Sequence, residues 1–157
     1  MFSILQNLNM KYLNSPEKLR AYARKLTEAK ILLNFAAEMC QLVALYGGTF
    51  VFEHPLTSKA CKETKVQQLL SDPRTYFAKN DQCAFQLRSA AGGLHRKPTG
   101  WMTNSEEIYK VLNVRCQGGH EHEPVLGGGV GGHKSRLAQH YTTELVRTIL
   151  SAYRRTL

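Results

Sequence analysis

Apolar and small residues recur at Leu19, Tyr22, Leu26, Ala29, Leu33, Ala36, Cys40 and Val43, in alternating steps of three and four. That is the period of one helix face. Ser15-Pro16-Glu17 opens the run with a capping hydroxyl, a proline suited to the first helical position and an acid at the positive end of the helix dipole. Gly47-Gly48 closes it. The first half of this helix is polar and basic and is free to project. The second half, residues 31–46, is apolar nearly all round, which predicts burial.

After the helix the pattern shortens. Residues 49–53 read as a strand stopped by Pro55, and 65–70 as a short helix closed by Ser71-Asp72-Pro73. Strands are expected at 75–78, 84–87 and 100–103. Asn104-Ser105-Glu106-Glu107 fits a capping box, with Asn104 as cap and Glu107 reaching back. The helix it opens places Ile108, Val111 and Leu112 inward. Thr143-Glu144 opens a last helix with Leu145, Ile149 and Leu150 inward. The order helix, strand, helix, strand, strand, helix, helix predicts a small α/β layer structure of three to five strands. Residues 1–15 read as a lead-in, and 16–157 as a single α/β domain with a Gly-rich loop at 127–133.

Charge adds a functional hint. The 157 residues carry a formal net charge of +9, with 43% hydrophobic content. The excess gathers at both ends, where Lys18, Arg20, Arg24 and Lys25 face Arg147, Arg154 and Arg155 across the chain. Such asymmetry favours a polyanionic partner, DNA or RNA first. No apolar run suggests a membrane span, and no secretory or mitochondrial leader is evident. The four cysteines, at 40, 61, 83 and 116, are dispersed and form no CxxC pair. An intracellular, reducing compartment is expected, with thiols buried or bound to metal.

The best metal candidate is Cys116-x3-His120-x-His122, with Cys83 as a fourth ligand and Cys61 and His95 as alternates. Thiolate and imidazole are the preferred ligands of zinc, and a structural site takes four of them. The His-x-His pair serves two ligands only if that segment is extended. Gly127 to Gly132 lacks the Lys-Ser/Thr ending of a phosphate loop and reads as a linker.

An ordered set of motifs runs through the chain: Phe52-Glu53-His54-Pro55, Asp81-Gln82-Cys83-x-Phe85, Lys97-Pro98-Thr99-x-Trp101-x-Thr103-Asn104, Cys116-x-Gly118-x-His120-x-His122 and Tyr141-x-x-Glu144-Leu145. Over residues 30–150 it resembles a segment of copia-type retrotransposon polyproteins from algae and protists. That segment is similar to the second half of a cytosine-5 DNA methyltransferase-like domain. The resemblance implies a partial Rossmann-like sheet, with Glu53, His54 and Pro55 at a strand end and Lys97, Pro98, Thr99 and Asn104 in a second motif. The chain departs from the pattern at Cys61, Gln86 and Thr142, where tryptophan, glycine and proline are expected. It also lacks a strand followed by GxGxxG and any Pro-Cys nucleophile. Without these, methyl transfer has no chemistry to run on, and S-adenosylmethionine is not an expected cofactor. The sequence reads as a non-catalytic, retroelement-derived nucleic-acid-binding module. The alternative is a basic structural subunit of a larger, ribonucleoprotein-type assembly.

Overall fold

A computed structural model describes residues 13–125, 128–129, 132–133 and 138–157. The lead-in to residue 12 and much of the Gly-rich loop lie outside the described residues. Helix α1 spans Pro16–Leu45. Strand β1 (Val51–Pro55), helix α2 (Thr64–Ser71), strand β2 (Tyr76–Asp81), strand β3 (Pro98–Thr103) and helix α3 (Glu106–Leu112) follow. The two-residue strands β4 (Gly128–Gly129) and β5 (Gly132–His133) pair with each other, and α4 (Thr143–Arg154) comes last.

The main sheet has three strands in the order β1-β3-β2. Both pairings are antiparallel, with Glu53 and Ala78 flanking Trp101. The fold is therefore mixed α/β, but the parallel strand pairs of a Rossmann-like sheet are not found among the described residues. β3 is central and almost wholly buried, and its side chains alternate between two cores. Met102 faces Leu33, Ala37, Cys40, Val66 and Leu69 of α1 and α2. Trp101 faces Ile108, Leu112, Leu145 and Ala152 of α3 and α4. Pro55 ends β1, an edge strand, where its missing N–H costs no central ladder bond.

Ser15 caps α1, its Oγ accepting the Lys18 N–H at 3.3 Å. Gly47 follows the helix at φ +75°, a conformation that suits glycine. The expectation that 31–46 is buried all round is corrected. Leu33, Ala37 and Cys40 are buried, whereas Ile31, Leu32, Phe35, Met39, Leu42 and Tyr46 stand in solvent. The sheet and α2 are small, and they cover one side of the helix only.

Further expectations change. Residues 84–87 do not form a strand. Gln82–Phe85 is a 3-10 turn ended by Gln86 at φ 61°, which swings the chain out of the sheet and buries Cys83. The cap of α3 is Ser105, whose Oγ accepts from the Ile108 N–H at 3.2 Å. Asn104 instead ties down the turn after α1, accepting from the Phe50 N–H at 3.0 Å and donating to the Gly48 carbonyl at 2.8 Å. Glu107 does not reach back; it accepts from Arg155 Nε at 3.1 Å. In α4, Thr142 is the cap, Leu145 is buried and Leu150 points outward, while Ala152 takes the inner position. Among the described residues no helix is long and apolar enough to cross a membrane.

Candidate metal centre

Cys83, Cys116, His120 and His122 converge, with one ligand atom from each lying within 4.8 Å of the others. Cys116 Sγ is 3.5 Å from Nε2 of both His120 and His122. Bonds of about 2.0–2.3 Å to a tetrahedral ion put mixed sulfur–nitrogen edges at roughly 3.5 Å. The His120 and His122 Nε2 atoms are 2.9 Å apart, a closer approach than a tetrahedral edge. The cluster can hold a metal ion, with the buried Cys83 thiol on one segment and the half-buried Cys116 thiol and two imidazoles on another, the 116–122 loop.

Each ligand is placed by an identifiable local cause. Cys83 lies in the 3-10 turn directly after β2. Cys116 follows α3, and its backbone N–H donates to Asp81 Oδ2 at 3.0 Å. Gly118 and Gly119, at φ +81° and +78°, reverse the chain so that His120 and His122 return to Cys116. The returning segment is then anchored: the Glu123 N–H donates to the Leu94 carbonyl at 2.8 Å, and His95 Nδ1 lies 2.9 Å from the Glu123 carbonyl. His95, an alternate ligand by sequence, is buried in this supporting role rather than in the cluster. Cys61, the other alternate, packs against the α1–α2 core.

Asp81 is the residue that sequence reasoning passed over as a charge. Its carboxylate is fully buried, with Arg96 Nε at 3.3 Å and Arg115 Nε at 3.0 Å. Burial opposes its ionisation, but the Cys116 N–H, Arg96 and Arg115 outweigh burial and hold the carboxyl below its usual range. One carboxylate thus fixes the backbone of a cluster residue and pairs with two flanking arginines, leaving the group with a net positive charge. Burial, reinforced by the neighbouring Cys116 thiol and Asp81, pushes the Cys83 thiol up to about 11. A divalent cation in the cluster would favour the thiolate instead.

The two motif blocks on β1 and before β3 also come together. Pro55 lies opposite Thr99 in the ladder. The Tyr141 hydroxyl donates to Glu53 Oε2 at 3.4 Å, and Lys97 Nζ donates to the Ala138 carbonyl at 2.9 Å while sitting over the Tyr141 ring. Burial raises the Glu53 pKa against the opposing pull of Lys97 and Tyr141, and burial lowers that of Lys97 against Glu53. Burial with the Glu53 charge sends the Tyr141 phenol to about 12. Burial lowers His54, whose Nδ1 is 3.5 Å from Ser58 Oγ. Thr99 is buried, accepting from Gln82 Nε2 at 2.9 Å. Asn104 is at the opposite end of β3. A cavity of about 590 Å³ opens between Pro55, Lys97, Pro98, His122 and Val125, so the motif residues and the metal loop share one wall.

Comparison with protein-family models, curated proteins and solved structures returns no match for this chain.

The basic residues singled out by sequence do not form one patch. Lys18, Arg20, Arg24 and Lys25 are exposed on the first turns of α1, and Arg147 and Arg154 on α4. Lys18 Nζ reaches Asn14 Oδ1 at 3.0 Å and Arg24 lies 3.8 Å from Glu28. Arg155 is engaged with Glu107. Trp101 is buried and unavailable for stacking on bases.

Proposed function

We propose that this chain is a non-catalytic nucleic-acid-binding module whose site loop is held by a structural zinc ion. Four Cys and His ligands make a closed set, the arrangement of structural rather than catalytic zinc, which keeps one position for substrate. The ion's part is mechanical: it fastens the 116–122 loop to the end of β2. Cys83, Cys116, His120 and His122 are the ligands, and Asp81 orients the backbone of one of them.

The observation that carries the binding half of the proposal is the projecting start of α1. Residues 16–25 are exposed on every side except for half-buried Tyr22, and they carry Lys18, Arg20, Arg24 and Lys25. A basic helix that stands clear of the body can lie along a phosphate backbone without rearrangement. Arg147 and Arg154 offer a second contact on α4. A retroelement origin and a methyltransferase-like ancestry belong to this proposal through the motif order. The Glu53, Lys97 and Tyr141 group is read as a remnant site, because no nucleophile accompanies it.

The test is metal analysis and binding on the full chain purified without chelator. One zinc per chain is expected, together with retention of labelled DNA or RNA in a gel shift at low salt that weakens at high salt. Calorimetry with S-adenosylmethionine should show no saturable binding. Absence of metal removes the zinc half, and absence of any shift at low salt transfers the choice to the assembly-subunit reading.

A further inference from the structure

The exposed side of α1 between residues 31 and 46 is apolar without interruption. Ile31, Leu32, Phe35, Met39, Leu42 and Tyr46 span roughly 100° of the helix circumference, on the side away from buried Leu33, Ala37 and Cys40. Phe35 is 57% exposed, Leu32 67% and Tyr46 81%. The charge in this stretch, Glu38, sits at the margin and is paired with Lys65 at 3.0 Å. Further toward the N-terminus the same side of the helix changes character and presents Arg20, Arg24 and Glu28. An apolar face of this extent on an exposed helix marks an interaction surface.

We infer that this face pairs with its own counterpart on a second copy of the chain, the two α1 helices crossing antiparallel near Met39. Three observations select that occupant. The positions Leu32, Phe35, Met39, Leu42 and Tyr46 repeat in steps of three and four, the seam that packs helix against helix. The seam is self-complementary under reversal: Leu32 meets Leu45 or Tyr46 of the second copy, Phe35 meets Leu42, and Met39 lies near the axis. From the fractional exposures of its six residues the face offers roughly 800 Å² per copy, an upper bound on what pairing covers and of the order each partner gives to a stable interface.

Charge fixes the direction. A parallel pair would set Lys18, Arg20, Arg24 and Lys25 beside the same residues of the other helix. The antiparallel pair sends the two basic segments to opposite ends. A second run of exposed apolar residues on α4, Val146, Leu150 and Tyr153, is narrower and is bounded by Arg147 and Arg154. It serves as the internal comparison.

Sedimentation of the full, metal-loaded chain from about 1 to about 100 µM should show a monomer–dimer equilibrium. Phe35→Glu and Leu42→Glu should each raise the dimer dissociation constant at least about tenfold. Their thermal unfolding should match the parent monomer, because both side chains are exposed in it. Leu150→Glu should leave the dimer unchanged. Spin labels at position 20, with Cys40 and Cys61 replaced, should lie roughly 55–60 Å apart across the dimer, given the helical rise per residue. A monomer at every concentration overturns the inference, whether residues 1–12 or another protein covers the face. A dimer insensitive to Phe35→Glu, one broken by Leu150→Glu, a larger oligomer, or labels only about 10 Å apart, as in parallel packing, would each overturn it as well.

Discussion

The Asp81 carboxylate accepts the backbone N–H of Cys116 across 35 residues of sequence, at 3.0 Å. Through that bond the end of β2 holds the position of a metal-cluster cysteine, while Cys83, two residues after Asp81, supplies a second thiol. The electrostatics are consistent with the geometry. A buried carboxylate between Arg96 and Arg115 remains charged and keeps accepting.

Asp81→Ala should therefore lower zinc affinity about 10–100-fold with all four ligands intact, the usual cost of losing an outer partner of a metal site. Asp81→Asn keeps an acceptor for the Cys116 N–H and should fall between the two. Competition against a chromophoric chelator reads the affinity. Equal affinity in the parent and Asp81→Ala would show that the loop is preset without this bond.

Gln86 sits at φ 61°, where the resemblance calls for glycine. The left-handed conformation costs a side-chain-bearing residue roughly 1–2 kcal/mol, against about 0.5–1 kcal/mol of extra chain entropy for glycine. Gln86→Gly should stabilise the protein by up to about 1.5 kcal/mol on these figures. Urea unfolding at fixed zinc concentration measures it. Clear destabilisation would mean that the exposed contact of Arg88 Nη2 with Gln86 Oε1, at 2.8 Å, matters more than backbone conformation.

The same residue shows why the sequence was only partly readable. The helix of 30 residues announced itself through a cap, a proline and a sustained period, all local signals. The Cys83, Cys116, His120 and His122 cluster was legible because cysteine and histidine are few and their chemistry is narrow. The turn at Gln82–Phe85 was not, because Ala84 to Leu87 alternates like a strand and the constraint that bends it is burial of Cys83 toward a loop more than thirty residues away. Asn104 was misassigned for a related reason. Its side chain has two equally good uses, a helix cap or a bridge to a distant turn, and only tertiary packing chooses between Asn104 and Ser105. The exposed arc on α1 was invisible because apolar composition states what prefers burial, not how much of the chain is there to provide it.

Glu53 should make the protein less stable at neutral pH than its neutral isostere. Its folded-state pKa is raised, with burial outweighing Lys97 and Tyr141. An unfolded chain ionises this carboxyl near 4.5, its ordinary value. Ionisation is harder in the folded state, so stability falls as pH climbs from the unfolded pKa through the folded one, and then levels. Glu53→Gln should raise the melting temperature at pH above that window, and the difference should vanish below the ordinary carboxyl pKa. A variant that is less stable at neutral pH would mean that the Tyr141 hydrogen bond, at 3.4 Å, needs the carboxylate.

Nucleic-acid binding should depend on the projecting half of α1 more than on the C-terminal arginines. With roughly five phosphates neutralised, the log–log salt dependence of the binding constant should have a slope of about −3.5 to −4.5. Replacing Lys18, Arg20, Arg24 and Lys25 with glutamine should remove roughly 2.8–3.6 of those slope units and weaken all sequences alike, because phosphate contacts carry no sequence information. The pair Arg154 and Arg155 should matter less than its charge suggests. Arg155 already pairs with Glu107 at 3.1 Å and also donates to the Ser151 carbonyl, so its release costs an existing interaction. Anisotropy titrations at several salt concentrations separate the two groups. A slope that survives the quadruple substitution would move the binding surface to the remaining arginines, Arg147 and Arg154 on α4 or Arg88, Arg96 and Arg115 near the 116–122 loop. There Arg96 and Arg115 pair with Asp81 through Nε while about half of each side chain stays exposed, so a phosphate would share these guanidinium groups with the buried carboxylate.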